Sequence, residues 1–557
     1  MKRKVFLPIL FTVLTLCASC AQSASDGQSA APSLNITSSV SISEDLTLTE
    51  PVEEDPANGF VWEEEKNKIV ICRYEGKKND PVLPSTIDGK PVVKIGENAF
   101  ADRSDLTSVR LPSTLRRIGS GAFNGCENLK TVYFDGTLEE WCNIVFQDMP
   151  CKNGAALYIN AKEVKDLVIP EGMPKITHSA FYGCASIESV TIPGSVGAIK
   201  DETFAECENL KTVRVGEGVT SIGDYAFSDC VALTDVTLPD GVQSIGNFAF
   251  IGCTGLMKIT LPDGVTVIEG HAFEGCAALC EVVLPDSLTD IGQSAFYGCA
   301  GLSGICIPDS VQSIGDMAFG FCEGLAEVLI PASVTSVGEN PFAGCTALSS
   351  IVVDKANAYF ESAGNCLVEK EGGKLIAGCK TSVIPDNCGV KEIGVFAFYE
   401  CTGLCEISIP DTVIRINGWA FYKCTELKKL RLPPRLRAIG EYAFSGCSGL
   451  ESVSIFGDLQ EWGEYAFGDC TGLRHITFEQ GVRTIEDVSF LDCTGLVSLT
   501  IPTSVYYISS VVFKDCKSLE TVYYRGSMAQ WNAIDLCADD NPLIYVKKIF
   551  NYTGEDF

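Results

Sequence analysis

The residues best suited to chemistry in this 557-residue chain are its 27 cysteines. Fifteen of them stand three positions after a phenylalanine, in a unit that recurs mostly every 23 residues. Cysteine thiolates can bind zinc, form disulfides or act as nucleophiles. No C-x-x-C spacing occurs after residue 20, which disfavours a zinc site. We expect the regularly spaced cysteines to be reduced, buried thiols that pack as small hydrophobic groups.

The other catalytic residue types form no recognisable set. The three histidines, His178, His271 and His475, occupy different positions in different repeats. The sequence contains no H-E-x-x-H, G-x-S-x-G or phosphate-binding G-x-x-x-x-G-K-[ST] motif. Acidic neighbours such as Glu139 and Glu140 are common, but no opposing pair can be placed for acid–base catalysis. We therefore expect no catalytic site, no metal and no cofactor.

The charge of the chain excludes some classes of partner. It has 72 acidic and 42 basic residues, which gives a net charge of −30. Nucleic-acid binding needs clustered basic residues that neutralise phosphates, so we expect no nucleic-acid partner. An anionic membrane surface would also repel the body of the protein, so we expect membrane contact only through a lipid anchor.

The N-terminus has the pattern of an export signal. Three basic residues at positions 2–4 precede an apolar run that is too short to span a bilayer. The run ends in L-C-A-S-C, which resembles the bacterial lipobox, although Cys17 stands where Leu or Val is usual. We expect a lipoprotein signal peptide at 1–19 and lipidation of Cys20, the alternative being simple cleavage and secretion. Residues 20–59 contain no Lys or Arg and are expected to form an acidic, Ser/Ala-rich linker.

Phenylalanine marks the period of the chain. A fixed period of 23 residues is typical of a solenoid. Leu233-x-x-Val236-x-Leu238-Pro239 predicts a strand, and a second extended segment and a corner follow it. Coils about 4.8 Å apart would place each phenylalanine over the next, and loss of one ring should cost about 3–5 kcal/mol. The central members of this spine are Phe181, Phe204, Phe227, Phe250, Phe273, Phe296 and Phe319.

The full unit, L-x-x-V-x-L-P-x-x-V-x-x-I-G-x-x-A-F-x-x-C, resembles the BspA-like leucine-rich repeats of bacterial surface proteins. One unit runs from Leu256 to Cys276 and departs only at Glu269, where Gly is usual. The resemblance implies a solenoid of leucine-rich coils, with a parallel β-sheet on one face and short turns or helical corners. It also implies export to the cell surface, binding of host proteins or adhesion, and no active site. We expect an N-terminal cap at 60–93, the solenoid at 94–546 and a C-terminal tail at 547–557.

Three segments break the period and are expected to leave the solenoid as excursions, at about 134–168, 351–390 and 524–546. In the middle one, Gly372-Gly373 lies between two alternating runs and predicts a β-hairpin. A two-residue turn there would place Val368 opposite Ala377 and Cys366 opposite Cys379. Facing residues of an antiparallel pair are close enough for a disulfide, so we expect Cys366 and Cys379 to be the best candidates for one.

One column of outward residues on the predicted sheet is apolar where the rest is polar. Its members Val283, Cys306, Leu329 and Val352 are spaced by 23 residues. A contiguous apolar patch with a polar rim is typical of a contact site. Two alternatives remain at this stage: the 351–390 excursion folds back over the patch, or the substitutions are simple β-branched replacements.

These features favour a protein-binding or adhesion scaffold with an unidentified protein partner on host or neighbouring cells. A structural component of the envelope or a biofilm is the second hypothesis, and self-association would favour it. An enzyme with a site in an excursion is the third and weakest.

The anchor is directly testable. Cys20→Ser should release the protein from the membrane fraction, because acyl chains and not a spanning helix would hold it there. Fractionation of cells that express each form measures this. Full retention of an uncleaved mutant in the membrane would contradict the lipobox interpretation.

Overall fold

The computed structural model describes residues 59–457, 459–486, 488–537 and 541–554. The predicted signal peptide, Cys20 and the linker up to residue 58 lie outside the described residues. The rest forms a β-solenoid of about 21 turns with a spacing of about 23 residues, parallel sheets and almost no helix. The predicted fold class and period are confirmed.

An antiparallel hairpin covers the N-terminal end of the solenoid. Strands Phe60–Glu65 and Lys68–Tyr74 form it. Phe60 and Tyr74 pack against Phe100, the first ring of the spine, with ring centroids 6.4 and 5.5 Å away. The hairpin therefore buries an apolar surface that the first turn would otherwise expose. The other strands of this segment are Thr86–Ile87 and Lys90–Ile95.

Most turns contribute a strand to a first wall, where parallel strands pair 23 residues apart. Val190 pairs with Val213, and Val213 pairs with Val236. Side chains alternate along each strand, so Val213 is buried while Arg214 faces solvent. The strands are Ser108–Leu111, Thr131–Phe134, Ala156–Ile159, Asp166–Val168, Ser189–Ile192, Thr212–Val215, Asp235–Thr237, Lys258–Thr260, Glu281–Val283, Glu327–Ile330, Ser350–Val353, Glu406–Ser408, Lys429–Arg431, Ser452–Ile455, His475–Phe478, Ser498–Ile501, Thr521–Tyr524 and Lys547–Phe550.

A second wall of two-residue strands follows the corner in most turns. Ile222 pairs with Ile245 and Ile245 with Ile268, all three buried. Seven such strands between Ala198 and Val337 form one continuous sheet. The strands are Arg117–Ile118, Val145–Phe146, Ala198–Ile199, Ser221–Ile222, Ser244–Ile245, Val267–Ile268, Asp290–Ile291, Ser313–Ile314, Ser336–Val337, Glu392–Ile393, Arg415–Ile416, Ala438–Ile439, Glu461–Trp462, Thr484–Ile485 and Tyr507–Ile508.

The phenylalanine turns close most coils and stack on one another. The backbone N–H of Phe250 donates to the carbonyl oxygen of Ala272 in the next turn, at 2.8 Å. The ring of Phe250 lies 5.4 Å from that of Phe273, with 3° between the ring planes. The same geometry links Phe273 to Phe296 and Phe296 to Phe319. From Phe181 to Phe319 each turn is therefore joined to the next by a backbone hydrogen bond and by an aromatic stack.

The first and last excursions each contain a short helix that buries a tryptophan. Helix Leu138–Cys142 begins with a capping box formed by Thr137 and Glu140. Trp141 is fully buried, and its Nε1 donates to the carbonyl oxygen of Ala180 at 2.8 Å. Helix Met528–Trp531 is its C-terminal counterpart; the remaining elements are the 3-10 helices Gly194–Val196 and Pro542–Ile544 and strand Lys162–Glu163.

The middle excursion is a three-stranded antiparallel meander. Its strands are Phe360–Ala363, Cys366–Glu369 and Lys374–Ala377. The third strand also pairs in parallel with Glu392–Ile393 of the second wall. The strand Lys374–Ala377 thus joins the excursion to the second wall of the solenoid. The predicted hairpin around Gly372-Gly373 is confirmed.

The predicted register of this hairpin is wrong. Val368 opposes Leu375 and not Ala377, and an irregularity follows Leu367, which opposes Ala377. The connection is therefore longer than two residues. The reason is that the carbonyl oxygen of Gly373 accepts the backbone N–H of Lys391 in the next turn, at 2.9 Å, so this glycine belongs to the coil and not to a tight turn.

Candidate binding surface

The regularly spaced cysteines lie inside the solenoid. The thiol of Cys253 is fully buried and donates to the carbonyl oxygen of Phe227 at 3.1 Å. The same contact, from a cysteine to the phenylalanine 26 residues earlier, recurs along the spine. Burial raises the pKa of the Cys345 thiol to about 12. Among the described residues all cysteines are free, and no group of three His, Cys, Asp or Glu could hold a metal.

Cys366 and Cys379 are separate buried thiols in this structure. Continuing the observed register from Leu367 and Ala377 would set Cys366 opposite Gly378. The sulfur of Cys379 contacts the Thr381 hydroxyl at 3.3 Å. A disulfide between the two remains a prediction that would require a change of register here.

The three histidines are placed in separate hydrogen bonds. Nδ1 of His178 lies 3.1 Å from the Ser179 hydroxyl, and His271 pairs with Glu274. His475 lies 2.7 Å from the hydroxyl of Ser498, and its pKa is lowered by burial and by the nearby Arg474. The geometry unites them in no catalytic set.

The apolar column is exposed on the first wall. Val283, Leu329 and Val352 are 43%, 54% and 45% exposed, and Cys306 is exposed as well. Leu329 and Val352 pair directly on adjacent parallel strands. The meander therefore does not cover Val352. Exposure is not uniform along this column: Thr500, at the equivalent position of a later strand, is only 2% exposed.

The sheet is interrupted in the middle of the patch. Residues 303–308 form no strand, so Cys306 lies between the strand that ends at Val283 and the strand that contains Leu329. Gly304 lies in this segment and has no side chain to pack against the neighbouring strands, which disfavours strand formation here. The four residues are thus not a continuous ladder: Leu329 and Val352 form a pair, with Val283 beyond the gap.

A groove borders the patch on its C-terminal side. The hydroxyl of Thr381 donates to the carbonyl oxygen of Ser349 at 2.6 Å, which holds the returning chain beside the strand of Val352. Val383 follows and is 67% exposed. Beyond it lies a groove of about 500 Å³, lined by Ser382, Val383, Glu406, Ile407, Ser408, Lys428, Lys429, Leu430, Arg431 and Ser452.

Sequence reasoning missed this groove. Strand Glu406–Ser408 pairs only with Lys429–Arg431, because residues 382–383 pass its other edge without forming a strand. The open edge is therefore a consequence of the middle excursion, whereas the basic rim comes from the strand Lys429–Arg431 and the preceding Lys428. The run Lys428-Lys429-x-Arg431, basic within an acidic chain, was the signal that could have found it.

The repeats define the class of protein. The sequence model of the protein family described as the BspA-type leucine-rich repeat region matches residues 93–161, 154–277, 243–364 and 381–529. The chain belongs to the BspA-type leucine-rich repeat family. A search of curated proteins found no match.

Solved structures of similar proteins come from several bacteria. The chain is 27% identical to a leucine-rich cell surface protein from Faecalibacterium prausnitzii, with 87% of this chain and 98% of that chain covered and a TM-score of 0.33. It is 23% identical to a leucine-rich repeat protein from Bacteroides ovatus (88% and 98% covered, TM-score 0.35). It is 15% identical to the pneumococcal vaccine antigen PcpA (89% and 98% covered, TM-score 0.45). Because these TM-scores are low, the assignment rests on the repeat match.

The described part of the chain contains no helix that is both long and apolar enough to cross a membrane.

The burial of the spine cysteines predicts their reactivity. Iodoacetamide should alkylate the exposed Cys280, Cys306 and Cys405 rapidly in the folded protein, and Cys253 only after unfolding. Burial both blocks access and raises the thiol pKa, and the thiolate is the reactive form. Mass-spectrometric mapping against time measures this. Alkylation of Cys253 in the folded protein as fast as Cys306 would contradict the packing described.

Proposed function

We propose that this chain is a non-enzymatic surface scaffold that binds a protein partner through its first wall. The observation that carries the proposal is the exposed pair of Leu329 and Val352, with Val283 nearby. Large apolar side chains that stay half-exposed on a folded surface lose water only when another molecule covers them. Thr260 precedes the patch and Ser408 follows it, both exposed, so the apolar surface has the polar rim typical of protein interfaces.

The groove supports a protein partner over a small ligand. Strand Glu406–Ser408 presents one unpaired edge towards it, and an extended peptide can add to such an edge through backbone hydrogen bonds. Val383 and Leu430 supply apolar contacts, and Lys428 is part of the basic rim. The patch and the groove are neighbours along the same wall, so one partner could contact both.

The proposed location follows from the N-terminal sequence. The basic start, the short apolar run and Cys20 support export with a lipid anchor, and the acidic linker would hold the solenoid away from the membrane. Membership of a family of surface repeat proteins agrees with this location.

The patch is tested by Leu329→Glu combined with Val283→Thr. The partner is first captured from host and bacterial surface fractions with the full-length mature chain, and its affinity is then measured by calorimetry. We expect binding to weaken at least about tenfold, or about 1.4 kcal/mol, because a carboxylate would be buried without a partner. The melting temperature should change little, since both side chains are exposed.

Thr237→Glu is the matched control, because it adds the same charge to the same exposed column away from the patch. It should leave affinity unchanged. Unchanged binding by the double variant with intact stability would remove this site. A large loss of stability would show that the patch is part of the core.

A further inference from the structure

A second surface, on the wall formed by the phenylalanine turns, is rich in half-buried aromatic side chains. We call it the aromatic strip. Trp419 stacks on Tyr442 with ring centroids 4.3 Å apart, and Tyr442 stacks on Tyr465 at 4.9 Å. The contacts continue through Tyr422 and Tyr399 at 4.8 and 5.1 Å. The full strip consists of Tyr297, Phe321, Phe396, Tyr399, Trp419, Tyr422, Tyr442 and Tyr465, all partly exposed.

The middle excursion does not interrupt this strip. The N–H of Gly344 donates to the carbonyl oxygen of Tyr399 at 3.0 Å, so the turn of Phe342 lies directly beside that of Phe398. As a result the ring of Phe321 lies 6.0 Å from the ring of Tyr399, although 78 residues separate them in sequence. The excursion is accommodated on the other walls, and the strip is continuous across it.

The stacked rings occupy a costly backbone conformation. Trp419, Tyr442 and Tyr465 have φ of 60°, 53° and 57°, in the left-handed region that disfavours bulky residues. Earlier turns place Asn98 and Gly121 at the same position, and both adopt this conformation more readily. The gain from stacking is similar in size to this cost, so packing alone does not explain four consecutive rings at this position, from Phe396 to Tyr465.

Carboxylates lie beside the C-terminal rings of the strip. Glu441 and Glu464 are exposed beside Tyr442 and Tyr465. Burial raises the pKa of the Tyr442 phenol, and Tyr465, Glu441 and Glu464 raise it further by their charge. A cation placed here would therefore be attracted by both the carboxylates and the electron-rich rings.

The protein itself shows how a cation binds to these rings. The Lys423 ammonium lies 5.1 Å above the centre of the Tyr422 ring. It also forms an ion pair with Glu400 at 3.1 Å. This combination of a ring face and a carboxylate is the arrangement that an arginine or lysine of a ligand would need.

We propose that the aromatic strip binds a basic, extended segment of a partner protein. Arginine or lysine side chains of that segment would pack on the ring faces that remain open and pair with Glu441 and Glu464. The strip lies on a different wall from the apolar patch and involves a different ligand chemistry. The proposal is therefore independent of the function proposed above.

The test uses a flexible synthetic peptide with four arginines separated by Gly and Ser, and the full-length mature protein. The variant is Trp419→Asn with Tyr442→Asn and Tyr465→Asn. Asparagine tolerates the left-handed conformation, as Asn98 shows, and the net charge is unchanged. We expect the Kd from calorimetry to rise at least about tenfold.

The matched control is Tyr225→Asn with Phe248→Asn, which removes two rings of another stacked ladder, one that ends at His271 and occupies the same position in other turns. It should leave the Kd within about twofold. A second variant, Glu441→Gln with Glu464→Gln, changes only exposed side chains and should also weaken binding. It keeps the test valid if the triple variant proves unstable.

Several results would overturn the proposal. Equal affinity of the wild type and both strip variants would show general attraction to an acidic protein. Equal binding of a peptide in which citrulline replaces arginine would show that charge is irrelevant. No measurable peptide binding would also contradict the proposal. Tighter binding of a neutral oligosaccharide, abolished in the triple variant, would show that the strip binds carbohydrate instead.

Discussion

The interaction on which this solenoid depends is the stacking of one phenylalanine turn on the next. Phe250 donates its N–H to the carbonyl of Ala272, and its ring lies nearly parallel to that of Phe273. Each stacked pair contributes about 0.5–1.5 kcal/mol beyond its burial, and the cysteine three residues later bonds back to the preceding turn. These contacts fix the position of the phenylalanine in most coils, so the additional residues of the middle excursion leave from another wall.

The two candidate surfaces follow from that constraint. The middle excursion leaves the first wall after Val353 and returns through Lys374–Ala377, which opens the groove beside Glu406–Ser408. The turns on either side of it still meet through Gly344 and Tyr399, which joins the aromatic strip. One insertion thus opens one surface and leaves the other continuous.

The sequence predicted what repeats and missed what depends on irregularity. The 23-residue period alone identified the phenylalanine spine and the burial of cysteines such as Cys253, because equivalent positions in successive coils have the same surroundings. It also placed Leu329 and Val352 on an outward face, where the structure has them exposed. It missed the break at Gly304, the register of Val368 and the contact of Phe321 with Tyr399. The last two depend on how the 351–390 excursion is accommodated, which no local pattern specifies, whereas the break follows from a glycine in a strand position.

Hydrogen exchange of the folded chain, followed by mass spectrometry, tests the role of the phenylalanine turns most directly. Peptides that contain the amides of Phe227, Phe250 and Phe273 should be among the slowest to exchange, because these amides are bonded to the next turn and buried. Residues 303–308, which form no strand, should exchange faster. Faster exchange at the phenylalanine turns than at residues 303–308 would contradict the view that these turns hold the coils together.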